Sequence, residues 1–429
     1  MAVTPRQRMS SMLQGAAHHA YIDNVKTRMF VLGLSSGSTL TLFLVSILLM
    51  MFSYDPASGG IHEICGWPYP LFRASFLLCL CGLLYGGALF AWRRAKVDYH
   101  GALHVSADVT YDMVLAYAYA CFTAVFTSFL LYALLLMAPG AMGYDVSRLR
   151  DALPAVAFLA PAVFMAWPTD RAPLSFAESR GSTAVRKSLL VDLLLPVLAG
   201  PFCEVTFART FVADVLCSMP KIFADMQYAT CALGTWLLEP GAATLRAAPT
   251  TCGTGALYAK IAVLLQVGPF LIRLGQSCRA IRDDPPARRK NAANGAKYGL
   301  AILLVAFSVA KKEHPATPAY ARGWLALAIA STASNFCWDV LMDWGLGHRR
   351  RPKKFPAAFY HVAIVTNLIA RLGWAVYVSP DQTLVAQHVI LLLGVVEVAR
   401  RFQWAVIRVE WEHCKTHGSD ATALIGPPI

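Results

Sequence analysis

The chain has 429 residues, of which 57% are hydrophobic and only 15% are charged. Soluble globular proteins carry roughly 25% charged residues, so this composition excludes an ordinary soluble domain and is typical of a polytopic membrane protein. The formal net charge of +13 would suit a nucleic-acid partner, but no basic tail, zinc-ligand spacing or RNA-binding motif accompanies it. We therefore predict a lipid bilayer as the surroundings of the protein and no nucleic-acid partner.

Ten apolar segments approach the roughly 20 residues that a helix needs to cross the hydrocarbon core of a bilayer. In chain order they lie near residues 29–52, 72–92, 113–137, 152–167, 206–237, 258–278, 298–310, 322–344, 357–379 and 383–409. The fourth and seventh segments are short, and the fifth and tenth contain charged residues. We predict an all-α, polytopic integral membrane protein with about ten transmembrane helices.

The 38 Lys and Arg residues are distributed unevenly between the connections of this helical bundle. Most of them fall in the connections that are cytosolic if the N-terminus is cytosolic. By the positive-inside rule, this bias predicts an even number of spans and both termini in the cytosol.

Intramembrane charge divides the chain near residue 205, because the first four spans hold almost none of it and the last six hold nearly all. We predict a short cytosolic N-terminal segment at 1–28, a four-helix scaffold or dimerisation part at 29–205, a six-helix transport bundle at 206–413 and a short cytosolic tail at 414–429.

The 11 cysteines show no repeated Cys-x-x-Cys and no histidine at zinc-ligand spacing, so we predict neither a metal site nor a cofactor. Cys65 and Cys252 fall in predicted outer or lumenal loops. A disulfide between these two cysteines is one open alternative.

Several ionisable residues lie within the apolar segments, where a charge is costly and normally faces a polar cavity or a partner. Asp214 lies in the fifth segment, in which Pro220 removes a backbone hydrogen bond and predicts a discontinuous helix of the kind that lines transport sites. Lys297 begins the seventh segment. Arg371 lies well inside the ninth segment, roughly 21 Å along a helix with a rise of about 1.5 Å per residue.

The tenth segment carries the densest group of charges. At about 100° per residue, five of its polar or aromatic side chains share an arc of roughly 100° on one helix face. They are Glu397, Arg400, Arg401, Trp404 and Arg408.

Asp339 and Asp343 are four residues apart in the eighth segment and share a helix face. Two such carboxylates would suit Mg²⁺ in an intramembrane phosphotransferase. We prefer the alternative that they neutralise arginines from neighbouring helices, because no second acidic motif completes a metal cage. We therefore do not predict an enzyme.

Cations slightly outnumber acids among the predicted buried charges, which favours an anion as the ligand. An arginine fork matches a tetrahedral oxyanion in bidentate fashion, so inorganic phosphate is a good geometric fit. The cations are Lys297, Arg371, Arg400 and Arg401, and the acids are Asp214, Asp339 and Glu397.

These residues resemble the EXS-domain family, which includes the xenotropic and polytropic retrovirus receptor, a phosphate exporter. The resemblance extends roughly from residue 69 to residue 414. Its most specific parts are Trp338-Asp339 followed by Met342-Asp343-Trp344-Gly345-Leu346, Arg371 with Trp374, and Glu397 with Arg400-Arg401-Phe402 and Trp404. The sequence departs from the family pattern at Asn367, where an acid is usual, and at Ala405, where an asparagine is usual.

The resemblance implies a phosphate channel or transporter with a ten-helix membrane domain, usually a homodimer, whose last six helices form the pathway. It also implies that Trp374 lies at a constriction and that Glu397 is a nearby gating acid. The phosphate-contacting positions match Asp214, Lys297, Asp339, Arg371, Arg400 and Arg401.

The 28 residues before the first span are too few for an SPX domain, so the chain resembles the short Golgi-type members of the family. These are linked to the return of lumenal phosphate to the cytosol and to the retention of glycosyltransferases. We expect a Golgi membrane, with the plasma membrane as the alternative location. The competing functional hypothesis is a Golgi sorting or scaffold protein that binds glycosyltransferases through the basic loop at residues 348–354.

Overall fold

A computed structural model describes residues 5–52, 54–55, 60–61, 68–105, 109–137, 147–166, 194–238, 252, 255–348, 351–373, 375 and 386–417. Almost all of these residues are helical, which confirms the predicted all-α class. Two strands of two residues each, β1 (Tyr54–Asp55) and β2 (Gly60–Ile61), pair antiparallel.

Thirteen α-helices follow one another through the described residues. They are α1 (Pro5–Phe52), α2 (Tyr69–Arg94), α3 (Tyr99–Leu103), α4 (Tyr111–Met137), α5 (Ser147–Ala166), α6 (Leu195–Leu198), α7 (Phe207–Leu216), α8 (Pro220–Leu238), α9 (Ala256–Asp283), α10 (Arg288–Glu313), α11 (Pro318–Trp338), α12 (Ala357–Arg371) and α13 (Ala386–His417).

Six helical stretches within the described residues are long and apolar enough to cross a membrane. They lie at Val25–Leu48, Tyr69–Arg94, Tyr111–Leu136, Ala256–Asp283, Arg288–Glu313 and Pro318–Asp343. The other predicted spans coincide with α5, with α7 and α8 together, with the shorter apolar helix α12, and with α13. An integral membrane protein with many helical spans is therefore the architecture of this chain.

The fifth predicted span is broken, as Pro220 indicated. Helix α7 ends at Leu216 and α8 begins at Pro220, which leaves Cys217, Ser218 and Met219 in a turn. The amide of Ser218 donates to the carbonyl of Val215 at 3.0 Å, and the amide of Met219 donates to Leu216 at 3.0 Å. The hydroxyl of Ser218 is thereby presented to a neighbouring helix.

A second irregularity follows α11, where residues Asp339–Asp343 form a π-helical turn. The amide of Trp344 donates to the carbonyl of Asp339 at 2.8 Å, which closes this wider turn. Such π-turns often occur at functional sites. The next residue, Gly345, has a positive φ of 63°, which a side chain would strain, and the ring of Trp411 occupies the place of a Cβ atom there.

The first helices form an aromatic core in which α2 is the central element. Phe72 of α2 packs edge-on against Phe129 of α4, with ring centroids 5.3 Å apart. On its other side α2 contacts α13, because the indole nitrogen of Trp92 donates to the carbonyl of Val406 at 3.0 Å. Helix α2 thus supports the helix that carries the densest group of charges.

A buried ion pair also joins α2 to α8. Arg73 donates from Nε and Nη2 to the two carboxylate oxygens of Asp225, each at 2.6 Å, and both side chains are nearly inaccessible. Lys221 lies 3.1 Å from the same carboxylate. Neither Arg73 nor Asp225 is among the buried charges predicted from the sequence.

A disulfide links Cys231, in α8, to Cys252, just before α9. The alternative of a Cys65–Cys252 disulfide is therefore wrong, because Cys252 pairs with Cys231. Cys65 lies outside the described residues. The apolar pattern did not indicate Cys231 as a partner, because this residue lies within the fifth predicted span at 206–237. It lies in the last turns of α8, close enough to the helix end to meet the loop cysteine.

Candidate functional site

A cavity of about 390 Å³ lies among α7 and α9 to α13. All six predicted phosphate-contacting residues line it: Asp214, Lys297, Asp339, Arg371, Arg400 and Arg401. Glu397, predicted to gate the site, also lines it. Trp374, the other predicted gating residue, lies outside the described residues.

Asp214 is buried on α7 and forms one side of the cavity wall. Its Oδ1 atom accepts hydrogen bonds from Nε of Arg273 at 2.8 Å and from the hydroxyl of Tyr298 at 2.6 Å. Arg273 in turn donates from Nη1 to Gln276 at 2.7 Å. Asp214 is thus neutralised by an arginine that is not among the residues lining the cavity.

The opposite side is a linked set of two arginines and two acids. Arg371 donates from Nε to Oδ2 of Asp339 at 3.1 Å and forms a second bond to the same oxygen. Arg400 donates to both carboxylate oxygens of Glu397, at 2.8 and 2.5 Å, and lies 3.7 Å from Asp339. Glu397 therefore holds an arginine of the cavity wall in place.

Asp343, the last residue of the π-turn, also lines the cavity and contacts the C-terminal half of α13. The indole nitrogen of Trp404 donates to Asp343 at 3.1 Å. Arg408 lies 3.6 Å from Asp343 and donates to Glu412 at 2.9 Å. The position of Asp343 beside Arg408 agrees with the preferred prediction that Asp339 and Asp343 neutralise arginines from neighbouring helices, although Asp343 was not among the acids predicted for the anion site.

Lys297 and Arg401 differ from the other lining cations, because no carboxylate of the described residues lies within 4.0 Å of either one. Lys297 Nζ lies 4.6 Å from the ring centroid of Tyr298 and 5.0 Å from that of Trp338. Arg401 donates from Nε to the hydroxyl of Ser218 at 2.6 Å, and its guanidinium lies 4.6 Å from the Trp404 ring. Aromatic faces and a hydroxyl stabilise these cations without cancelling their charge.

The total charge of the cavity wall differs from our prediction of a slight cationic excess. Asp343 joins the predicted acids, so among the described residues that line the cavity the acids equal the cations in number, although Asp214 and Asp343 are paired with arginines outside the lining. The cations are Lys297, Arg371, Arg400 and Arg401, and the acids are Asp214, Asp339, Asp343 and Glu397. The positive charge that an anion would meet is therefore local, at Lys297 and Arg401, because Arg371 and Arg400 are paired.

A metal site at Asp339 and Asp343, the alternative considered from the sequence, would need at least one further ligand. Within the residues that the structure describes, no group of three or more His, Cys, Asp or Glu side chains is placed to hold a metal ion. Asp339 contacts Arg371 and Asp343 contacts Trp404, so each carboxylate is already engaged by the protein.

The basic loop after the π-turn is only partly a surface feature. Arg351 is buried and donates to Glu410 at 2.7 Å, and the same carboxylate accepts from the Tyr360 hydroxyl at 2.5 Å. Lys353 and Lys354 are exposed, whereas Arg349 and Arg350 lie outside the described residues. Arg351 therefore anchors the loop to α13 and is not available to a docking partner.

Comparison with known proteins gives one family match, in which the model of the EXS family matches residues 68–414. SPX and EXS domain-containing protein 1 of Dictyostelium discoideum is 26% identical over 410 residues, which cover 90% of this chain and 40% of the relative. The xenotropic and polytropic retrovirus receptor 1 homolog of Xenopus laevis is 24% identical over 396 residues, which cover 86% of this chain and 54% of the relative. Human solute carrier family 53 member 1 is 28% identical over 251 residues, which cover 53% of this chain and 36% of the relative. The chain thus spans about half the length, or less, of these curated relatives.

Proposed function

Because this chain belongs to the EXS family, we propose that it is a membrane channel or transporter that moves inorganic phosphate through the cavity between α7 and α9 to α13. The observation that carries the proposal is the position of Lys297 and Arg401, two buried cations that line one cavity and have no carboxylate of the described residues within 4.0 Å.

Phosphate fits these two cations for chemical reasons. A guanidinium presents several N–H donors in a planar fork, and an ammonium acts as a compact point charge. Arg401 uses Nε on Ser218, and within the described part of the chain its terminal nitrogens have no hydrogen-bond acceptor, which leaves them for an oxyanion. Phosphate offers oxygen acceptors to both side chains, and a protonated phosphate oxygen would donate to a wall carboxylate such as Asp214.

The paired part of the wall fits transport as well as binding. A cavity lined only by cations would be costly to keep in a low-dielectric interior and would hold an anion too tightly to release it. In this cavity Asp339 and Glu397 offset Arg371 and Arg400. The name of the human relative, a solute carrier, agrees with movement of a solute as the function.

Flux of ³²P-labelled phosphate into proteoliposomes tests this proposal. The purified wild-type chain is expected to raise uptake well above that of protein-free liposomes. Arg401→Ala and Asp339→Ala are both expected to lower it, the first by removing an unpaired cation and the second by releasing Arg371 and Arg400. Equal uptake by protein-free liposomes, wild type and both variants would show that the cavity does not conduct phosphate.

We further propose that the chain resides in a Golgi membrane as a homodimer joined through residues 29–205, with both termini in the cytosol. The Lys and Arg distribution supports this orientation, and so does the Cys231–Cys252 disulfide, because disulfides persist on the oxidising side of a membrane. Support for the Golgi location and for the dimer comes from the sequence resemblance.

Engineered glycosylation tests the orientation. The chain contains no Asn-x-Ser/Thr acceptor of its own, so any N-glycosylation observed comes from the introduced acceptor. An acceptor placed at residues 239–251 is expected to be glycosylated, and one placed at 344–356 is not. The reverse pattern would contradict the orientation. Co-localisation with a Golgi marker and cross-linking of differently tagged copies test the membrane and the dimer.

A further inference from the structure

Asn367 is a fully buried amide within the charged wall of the cavity. It lies on α12, one turn before Arg371, with 0% exposure. Its Nδ2 atom donates to Oδ2 of Asp339 at 3.0 Å, and its Oδ1 atom accepts from Nη1 of Arg400 at 3.3 Å. A carboxylate only accepts and a guanidinium only donates, so these two partners determine the orientation of the amide.

The groups around Asn367 form a charge-balanced set from three elements: the π-turn, α12 and α13. Each acid in the set already has an arginine, and the amide links the two ion pairs without adding charge. The charged groups that face this region are Asp339, Arg371, Glu397 and Arg400 at bonding or pairing distance, with Asp214, Lys297, Asp343 and Arg401 on the remaining wall of the cavity.

Other side chains of similar size would change this balance. An aspartate at position 367 would lie within hydrogen-bonding distance of Asp339, and two carboxyl groups that close together titrate as a coupled pair that retains a proton. A leucine would remove one partner each from Asp339 and Arg400. The amide of Asn367 supplies both the donor and the acceptor at this site and takes up no proton.

We propose that Asn367 is a positioning residue that holds Asp339 and Arg400 in a non-titrating wall, so that the pH dependence of phosphate movement comes from the phosphate ion and not from this part of the protein. This inference rests on the proposed phosphate transport. Asn367 acts through Asp339 and Arg400 and is not itself a ligand of the anion.

Asn367→Asp tests the inference by adding a titrating group at this one position. At low pH the retained proton keeps the new side chain neutral, and phosphate flux is expected to be close to that of wild type. As the pH rises toward 8 the proton is lost and an added negative charge repels the anion, so the ratio of variant flux to wild-type flux falls on the order of tenfold.

Gln276→Glu is the matched control, because it makes the same amide-to-acid change at another buried position. Gln276 is 2% exposed and accepts a hydrogen bond from Arg273, as Asn367 does from Arg400. Among the described residues Gln276 has no hydrogen bond to a carboxylate, so an acid there has no carboxyl group with which to share a proton. Its flux ratio to wild type is expected to be constant between pH 6 and 8. A constant ratio for Asn367→Asp as well would overturn the inference.

Two further measurements keep the test decisive. The exchange variant Asp339→Asn with Asn367→Asp restores one acid and one amide to the pair, and its flux ratio to wild type is expected to be independent of pH. The melting temperature of detergent-purified Asn367→Asp is expected to fall relative to wild type between pH 6 and 8, because the folded state binds the extra proton more tightly than the unfolded state.

These readouts separate the two claims. If wild-type liposomes take up no phosphate, the proposed function fails, and the melting temperatures still test the role of Asn367. If wild type transports phosphate but the exchange variant keeps the pH dependence of Asn367→Asp, the proposed function stands and the inference about Asn367 is wrong.

Discussion

Replacing Lys297 by methionine or Arg401 by glutamine is expected to lower phosphate flux roughly 100-fold in each case, which corresponds to about 3 kcal/mol for a charge-assisted interaction in a desolvated site. The loss is large because these are the two lining cations without a carboxylate of the described residues within 4.0 Å. Methionine keeps the length of the lysine stem against the rings of Tyr298 and Trp338, so that the change removes mainly the charge.

Lys311→Met is the matched control for this experiment. Lys311 lies on α10 like Lys297, and its ammonium is also placed on an aromatic ring, 4.2 Å from the centroid of Trp324. It is not among the residues that line the cavity, so its replacement is expected to change flux less than twofold. Equal losses in Lys297→Met and Lys311→Met would indicate a general effect of charge and not a site.

Replacing Asp225 by alanine is expected to destabilise the protein by about 3–5 kcal/mol, the cost of leaving a buried charge without its partner. Arg73 is almost completely buried against Asp225 and donates two hydrogen bonds to it. The pair joins α2 to α8, so its loss is expected to lower the melting temperature of the detergent-purified chain sharply.

Asp283→Ala serves as the control, because Asp283 forms ion pairs with Arg279 and Arg282 at the exposed end of α9 and exposed pairs contribute little. Its melting temperature is expected to match that of wild type. The double variant Arg73→Met with Asp225→Leu, which replaces both charges by apolar groups, is expected to recover most of the stability lost in Asp225→Ala. A wild-type melting temperature for Asp225→Ala would contradict the structural role of this pair.

The helices and the break at Pro220 could be predicted from the sequence because they depend on local properties. Long apolar runs must form helices in a bilayer, where every backbone polar group needs an internal partner, and a proline within such a run removes one hydrogen bond. The cavity residues could be identified for a related reason, since charged side chains at membrane depth converge on a shared polar space. Asp214, Lys297 and Arg371 come from three different helices and line the same cavity.

The pairing of these charges could not be predicted, because it depends on contacts between residues distant in the chain. Arg73 and Asp225 are 152 residues apart, and a pattern along one helix contains no record of that contact. The π-turn at Asp339–Asp343 likewise has no hydropathy signal, although it places both acids on the cavity wall. Summing the charges therefore predicted a cationic site, whereas the described residues of the wall carry equal numbers of acids and cations, and two of those cations have no described carboxylate within 4.0 Å.

The pairing also explains how one cavity can be stable when empty and still accept an anion. Arg371 and Arg400 are offset by Asp339 and Glu397, so little uncompensated charge is buried there. Arg401 instead bonds to Ser218 in the turn between α7 and α8. A neutral hydroxyl is a weaker partner than a carboxylate, and phosphate can compete with it for the guanidinium.

Cryo-electron microscopy of the wild-type chain in phosphate and in chloride tests the central claim most directly. With millimolar phosphate we predict a compact density between the side chains of Lys297 and Arg401, absent in chloride and absent from Lys297→Met in phosphate. Density between Arg371 and Arg400 would contradict the assignment of the phosphate site to Lys297 and Arg401. So would a cavity that looks the same under all three conditions.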